Sequence, residues 1–315
     1  MAASNTTQER KSSTQVPVGA ATVALSGVHM RYSVPSSDRA ERVGGAPLQV
    51  AAQRLLGARP EVLVRALSGV SLLARSGESI GVIGRNGSGK STMLRIIAGL
   101  EPPSRGTVLA ESTPVLLGVN AALLPDLSGA ENVRIGLLAM GKSPHEVEQL
   151  FPEVVELAGI GKSIYLPMRT YSSGMGSRLR FAIAAAAAPD ILLIDEALAT
   201  GDAAFRDRSE QKMTELRRGA ATVFLVSHAA QTVEDMCTRA IWLHQGRIIM
   251  DGPAYETAQK YRWWSWNVAN GEERKAAKLL GEAIEERRVS EVSVLENAPV
   301  AFGPPRHARK QARKV

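Results

Sequence analysis

The segment Gly84–Thr92, GRNGSGKST, constrains the fold of this chain more than any other part of the sequence. It follows a dense apolar run at Ser79–Ile83 and precedes a stretch with a helical pattern, Lys90–Leu100. Such a glycine-rich turn lets backbone N–H groups surround a phosphate, while the helix N-terminus and the lysine add positive potential. The order of strand, glycine loop and helix therefore predicts an α/β domain that holds a phosphate chain.

Composition agrees with a soluble globular protein. The 315 residues are 44% hydrophobic and 22% charged, enough for one large domain or two ordinary ones. The single Cys237 excludes an intrachain disulfide and a cysteine metal cluster. The N-terminus lacks the apolar run of a signal peptide, and the apolar stretch Phe181–Ala188 is too short to span a membrane.

The formal net charge is +7, and residues 306–315 contain no acidic residue. This basic tail predicts either a solvated, disordered end or contact with anionic lipid headgroups or nucleic acid.

A second apolar strand, at residues 190–195, ends in Asp195 and is followed by Glu196. A carboxylate at that edge of the sheet can hold hydrated Mg²⁺ together with the hydroxyl of Ser91. Glu196 is suited to act as the general base that activates water. Alone, such a pair is more typical of a helix cap, but its position after the glycine loop favours catalysis.

Two further side chains are candidates for nucleotide contacts. His228 ends the apolar strand at 221–228 and is interpreted as a sensor of the γ-phosphate, with a structural role as the alternative. Tyr32 lies in a strand-like segment before the glycine loop and is a candidate for stacking on adenine, or else an ordinary half-buried strand residue. The contacts to phosphate are assigned to Gly84, Arg85, Asn86, Gly87, Ser88, Gly89, Lys90, Ser91 and Thr92.

A second candidate anion site lies at Ser172, Ser173 and Gly174, just before an alanine-rich helix predicted at Met175–Ala188. Serines there also cap helices for purely structural reasons. One nucleotide fold with two phosphate-binding helix starts suggests that each nucleotide is held between two copies of the chain.

Taken together, these motifs resemble an ABC-transporter ATPase subunit over roughly residues 21–260. YSSGM at 171–175 stands where that family has its LSGGQ-type signature, and ATGDAAF at 199–205 stands where it has its D-loop. YSSGM, that short D-loop and LLPDLSGAENV at 123–133 resemble the branch that exports lipid-linked O-antigen, teichoic acid and galactan. The resemblance implies an α/β P-loop NTPase fold, with a RecA-like core, an antiparallel β region and an α-helical subdomain.

The resemblance also implies partners and further roles. Two subunits would form a homodimer that sandwiches two ATP molecules with Mg²⁺, on the cytoplasmic face of the membrane, against a multi-spanning permease that moves the lipid-linked polysaccharide. No nucleic acid is expected. Asp202 of the D-loop joins the nucleotide contacts, and Asn120 is the nearest amide to the position of the residue that reports to the permease. The alternatives are a soluble ABC ATPase acting on nucleic acid or ribosomes, and a small-molecule P-loop kinase.

We predict a disordered tail at residues 1–17, an ATPase domain at 18–262 with its helical subdomain at about 118–188, and a C-terminal helix and basic tail at 263–315. The Pro- and Gly-rich insert at 33–64 is predicted to be a surface loop with one short helix. Because only about fifty residues with little strand pattern follow Tyr261, we expect no C-terminal carbohydrate-binding domain.

Two features near the C-terminus remain. WWSW at 263–266 favours packing of the tail against the domain or contact with the membrane interface, with sugar stacking as the alternative. A helical face follows and is expected to dock on this protein or its copy. Its apolar residues are Ala276, Leu279, Leu280, Ala283 and Ile284.

Overall fold

The computed structural model describes residues 19–35, 61–117, 123–195, 203–286 and 292. The strands are β1 Ala21–Pro35, β2 Glu61–Arg75, β3 Ser79–Ile83, β4 Arg105–Ala110, β5 Val115–Leu116, β6 Ile191–Asp195, β7 Thr222–Val226, β8 Arg239–His244 and β9 Arg247–Pro253. The helices are α1 Lys90–Ile97, α2 Gly129–Ala139, α3 Pro144–Ala158, α4 Ser173–Ala186, α5 Ala203–Gly219, α6 Ala230–Met236, α7 Ala254–Ala269 and α8 Glu273–Glu285. Two short 3-10 helices, Gly161–Tyr165 and Met168–Thr170, lie between α3 and α4.

A six-stranded sheet forms the centre, in the order β5-β6-β7-β3-β8-β9. All neighbouring pairs are parallel except β8 and β9, which form a hairpin around Gln245 and Gly246. Strands β6, β7 and β3 are short, almost continuous apolar runs because helices or a second sheet cover both of their faces. In their register, Val226 is aligned with both Asp195 and Val82, so the carboxyl ends of β6, β7 and β3 meet at one edge.

A second sheet, antiparallel and ordered β2-β1-β4, covers one face of the first. Alternate residues of β7 pack on opposite sides of the central sheet. Phe224 and Val226 are buried against this second sheet and α1, whereas Val223 and Leu225 are buried on the other side against the helices. The predicted combination of an α/β core with an antiparallel β region is thereby confirmed.

The helices between Gly129 and Ala186 pack on the opposite face. α2 and α3 each begin with a capping box, formed by Ser128 with Glu131 and by Ser143 with Glu146. Gly159 ends α3 in the left-handed conformation, with φ of 60°, as its position in the sequence indicates. In the described part of the chain, no helix is long and apolar enough to cross a membrane.

Arg239 joins the two sheets at the start of β8. Its guanidinium donates to both carboxylate oxygens of Asp251, at 2.6 and 2.7 Å, and to the carbonyl of Leu73 at 2.9 Å. It also lies 3.1 Å from a carboxylate oxygen of Glu78. The hydrogen bond to Asp251 raises the pKa of Arg239 further above its ordinary value, so the cation is fixed between the sheets.

The C-terminal helices pack against strands β3, β8 and β9 of the central sheet. α7 runs through the domain boundary predicted at 262, because Tyr261 and Trp264 pack against the buried Trp242 of β8. α8 lies on α7 through buried Ala276 and Ala283, so this helix docks on its own chain as expected.

Three predicted helix boundaries and one predicted loop differ from the structure. α1 ends at Ile97, because Gly99 has φ of 69°, and α4 covers Ser173–Ala186, which is two residues earlier than predicted at each end. Residues 33–35 and 61–64 of the proline- and glycine-rich insert extend β1 and β2 rather than forming a loop. Its residues 36–60 and the two predicted tails at 1–17 and 306–315 lie outside the described residues.

Candidate nucleotide-binding site

The glycine loop lies at the carboxyl end of β3, at the centre of the sheet. Gly84 and Gly89 have φ of 156° and 104° and are packed closely against other backbone. A Cβ atom would lie 2.2 Å from the carbonyl oxygen of Leu243 at Gly84, and 2.5 Å from that of Ala66 at Gly89. Only glycine fits these positions, so the loop is held in one conformation by β2 and β8.

We expect Gly84→Ala to lower the free energy of unfolding by about 3 kcal/mol, because the added methyl group must displace the backbone of β8. Chemical denaturation of the purified chain measures this. Gly87→Ala is the matched control, since Gly87 has φ of 78° but nothing within 4 Å of its added Cβ atom. It should cost only about 1 to 2 kcal/mol of backbone strain. Equal losses in the two variants would contradict the close packing at Gly84.

Lys90 is the first residue of α1, and its side chain returns over the loop. The Nζ atom donates to the carbonyl oxygens of Gly84, at 2.6 Å, and Arg85, at 3.1 Å. The hydrogen bond from the Met93 N–H to the Gly89 carbonyl, 2.9 Å, is the first of α1. The N–H groups of the preceding turn are therefore directed at the same space as the lysine charge, which is the arrangement that binds anions.

Ser91 and Asp195 lie together at this edge. The Ser91 hydroxyl donates to Oδ2 of Asp195 at 2.9 Å, which joins the end of β6 to the start of α1. A hydroxyl and a carboxylate are ligands that Mg²⁺ accepts when water and phosphate oxygens complete its octahedron. No group of three His, Cys, Asp or Glu side chains suited to a metal occurs among the described residues. The Ser91–Asp195 pair fits a Mg²⁺ ion whose remaining ligands are water and phosphate oxygens.

A cleft of about 640 Å³ gathers most of the predicted contacts. The predicted residues that line it are Tyr32, Asn86, Gly87, Gly89, Lys90, Ser91, Thr92, Asp195 and His228. His228, two residues beyond β7, is exposed at the rim. Ser88 does not line the cleft: it is buried beneath the loop, where its hydroxyl lies close to Gly84. Its side chain therefore supports the loop, and only its backbone can contribute to phosphate binding.

Tyr32 closes one side of the cleft. Its hydroxyl donates to Glu101, and burial, together with this bond, raises the pKa of the phenol above its ordinary value. Sequence reasoning missed the wall beside it, which is formed by Val64, Arg65 and Ala66. The missing signal is the long-range register of β1 on β2, in which Tyr32 is opposite Val64.

The second predicted anion site lies on a different surface of the chain. Ser172 caps α4 by accepting the Met175 N–H at 3.2 Å, and it lines a separate groove of about 210 Å³ with Ser173. Tyr171 fixes the segment before the cap, because its hydroxyl donates to the Ser163 carbonyl at 2.6 Å. The Met175 N–H already donates to the Ser172 hydroxyl. The other first-turn N–H groups, which come before the intrahelical hydrogen bonds, belong to Ser173 and Gly174.

Three predicted residues, Glu196, Asp202 and Asn120, lie outside the described residues. Their roles as general base, D-loop contact and reporter amide stay predictions.

A family model described as ABC transporter matches residues 67–199, which include the glycine loop, the α4 cap and Asp195.

Three curated relatives are called teichoic acids export ATP-binding protein TagH. The protein of Bacillus anthracis is 40% identical over 212 residues, which cover 67% of this chain and 39% of the relative. That of Listeria monocytogenes serotype 4b is 43% identical over 196 residues, 62% of this chain and 58% of the relative. That of Staphylococcus epidermidis is 39% identical over 196 residues, 62% of this chain and 74% of the relative. The match thus covers from about two fifths to three quarters of these relatives.

Solved structures have the same fold. A dimeric post-hydrolysis state of the ATP-binding cassette MJ0796, bound to ADP and Pi, aligns with a TM-score of 0.55 at 22% identity, over 74% of this chain and 98% of that chain. A structure described as the ATP-binding subunit of an ABC transporter aligns with a TM-score of 0.57 at 21% identity, over 76% of this chain and 93% of the other.

Proposed function

Since the chain belongs to the ABC transporter family, in the group of the teichoic acids export ATP-binding proteins, we propose that it binds and hydrolyses ATP to power export of a lipid-linked cell-wall or surface polysaccharide. The polysaccharide is of the teichoic acid, galactan or O-antigen type. The observation that carries the proposal is the convergence of Lys90, the Ser91–Asp195 pair and His228 in one cleft. Each of these groups can contact a bound triphosphate or its Mg²⁺.

The roles follow from position in the cleft. The loop N–H groups and Lys90 bind the phosphates, and Tyr32 packs against the base. Ser91 and Asp195 hold Mg²⁺, which neutralises phosphate charge when it is bound. His228 contacts the γ-phosphate from the rim, and Glu196 takes a proton from the attacking water. Because the lysine and the N–H groups are already fixed by protein contacts, little reorganisation is needed when charge develops on the phosphate.

The catalytic unit is a head-to-tail homodimer. Within one chain the α4 cap lies on a surface separate from the cleft, so Ser173 and Gly174 cannot serve their own chain's cleft as the chain is folded. A second copy would bring them against the γ-phosphate, and the positive end of α4 would then face an anion. Neighbouring cassettes of this fold include a dimeric structure.

The ATPase works at the cytoplasmic face of the membrane, bound to a multi-spanning permease. This part of the proposal is supported by the name of the relatives, which places them in teichoic acid export. The same name gives no support to the alternative of an ABC ATPase that acts on nucleic acid or ribosomes.

Depletion of the chain in its own cells tests the transported substrate. We expect a lipid-linked glycan to accumulate in the cytoplasmic leaflet while the same glycan is lost from the cell surface. Wild-type chain supplied in trans should restore the surface glycan, and the Lys90→Ala variant should not. Purification of the tagged wild-type chain from detergent-solubilised membranes should recover one multi-spanning protein. A surface glycan profile unchanged by depletion would contradict the proposal.

A further inference from the structure

Helix α7 carries large aromatic side chains on two opposite faces. On one face, Tyr261 and Trp264 pack against Trp242, with ring centroids 5.7 and 5.2 Å from it. On the other face, Trp263 and Trp266 are 60% and 56% exposed and contact each other edge to face, with centroids 5.6 Å apart. α7 therefore has one aromatic face in the core and a second that no described residue of this chain covers.

An exposed pair of tryptophans is costly to leave in water. The chain has four tryptophans in 315 residues, and this pair is half of them. A helix with apolar residues on both faces is expected to be buried on both, and exposed apolar patches mark interaction sites. The second face of α7 thus has the character of an interface without its partner.

Two grooves connect this face with the rim of the nucleotide cleft. A groove of about 400 Å³ runs from His228 past Arg262 to Trp266, and His228 is also a wall of the nucleotide cleft. A neighbouring groove of about 350 Å³ continues from Arg262 past Gln259 to Trp263. Whatever meets the rim of the cleft at His228 therefore lies next to the tryptophan pair.

Arg85 of the glycine loop influences two side chains in the contacts of α7, His244 and Tyr261. Burial lowers the pKa of His244, and the positive charge of Arg85 lowers it further. Burial raises the pKa of Tyr261, against smaller opposing effects of Ser265 and Arg85. His244 in turn packs edge to face on Trp264, with centroids 5.1 Å apart. His244, which packs on α7, and Tyr261 of α7 are therefore close enough to the glycine loop to respond to the charge of Arg85.

We infer that the tryptophan surface, defined as Gln259, Arg262, Trp263 and Trp266, is covered by a second copy of this chain when ATP closes the pair. The inference rests on the proposed homodimer and extends its interface beyond the two nucleotide sites to the C-terminal helices. Tryptophan and arginine are the side chains that contribute most at the centres of protein interfaces. Arg262 is held for this contact by an ion pair with the half-buried Glu234 and by Gln231 at 3.3 Å.

Site-specific photocrosslinking of the full chain tests the inference directly. A benzophenone amino acid replaces Trp266 in a chain that also carries Glu196→Gln, so that MgATP is bound but not turned over. Illumination should give a covalent product of two chains with MgATP and little without it. The matched control carries the same probe at Tyr165, an exposed aromatic residue in the short 3-10 helix of the helical layer, and should give no such product.

A second measurement gives the size of the effect. A double variant, Trp263→Ser and Trp266→Ser, is made in the Glu196→Gln background. Its MgATP-dependent dimer should have a dissociation constant raised at least about tenfold, as measured by sedimentation velocity. Tyr165→Ser should leave that constant unchanged. ATP binding to one chain should be the same in all variants.

The outcomes separate this inference from the proposal on which it rests. A dimer that forms with MgATP but gives no two-chain product at position 266 would overturn the inference and leave the homodimer standing. Absence of both the dimer and the product would overturn both. A lipid adduct in phosphatidylglycerol vesicles, without the two-chain product, would instead assign the tryptophan surface to the membrane and overturn the inference.

Discussion

Replacing Lys90 with alanine is expected to reduce ATP hydrolysis at least about a hundredfold. The ammonium group is held 2.6 Å from the Gly84 carbonyl, so its charge is fixed over the phosphate loop before the substrate arrives. Its loss removes a full positive charge next to the phosphates and also removes the ammonium group that donates to the carbonyls of Gly84 and Arg85. Affinity for ATP should fall together with the rate, because the charge acts on the bound nucleotide as well as on the transition state.

Phosphate release by the purified chain with MgATP measures the rate, and calorimetric titration measures ATP binding. Lys162→Ala is the matched control, because Lys162 is an exposed lysine of a 3-10 helix that does not line the cleft. It should behave as wild type. Hydrolysis by Lys90→Ala within about threefold of wild type would show that the nucleotide is bound elsewhere.

The parts of this site that could be predicted are those encoded by local sequence. Gly84, Gly89 and Lys90 lie in one loop whose conformation depends on residues next to one another in the chain. Asp195 and His228 are distant in sequence, yet one ends β6 and the other lies just beyond β7, and the carboxyl ends of parallel strands meet at one edge. This rule of topology is why they could be placed before the fold was known.

The wall formed by Val64 and Ala66 could not be predicted in the same way. Its position depends on the register between β1 and β2, which is interrupted by several irregularities between Ala21 and Arg31. A shift of one residue would direct Tyr32 and Val64 to the other face of the sheet. Local residue preferences do not determine such a register.

The tryptophans illustrate a second limit. The run WWSW predicted one common role, but neighbouring positions of a helix are about 100° apart around its axis. Trp264 consequently lies in the core while Trp263 and Trp266 are exposed, and packing of the tail describes only one of the three. The helix that contains Trp264 also crosses residue 262, where a domain boundary was predicted, since Tyr261 and Trp264 both contact Trp242.

Replacing Ser173 with arginine is expected to abolish hydrolysis and to leave the ATP affinity of a single chain unchanged. Ser173 is the first residue of α4, is exposed, and lies outside the cleft of its own chain. A long side chain there would fill the space that the γ-phosphate must occupy when a second copy closes. The added positive charge at the positive end of the helix should lower the stability by only about 0.3 to 1 kcal/mol, so the subunit should still fold.

The decisive measurement pairs ATP titration with sedimentation velocity in the Glu196→Gln background. Ser173→Arg should bind ATP as the parent does but remain monomeric, whereas Lys90→Ala should lose both ATP affinity and dimer formation. Ser173→Ala is the matched control and should still dimerise, because Ser172 and not Ser173 caps α4 through the Met175 N–H. A Ser173→Arg chain that dimerises and hydrolyses ATP normally would place the α4 cap outside the nucleotide site, and its serines would then be helix caps alone.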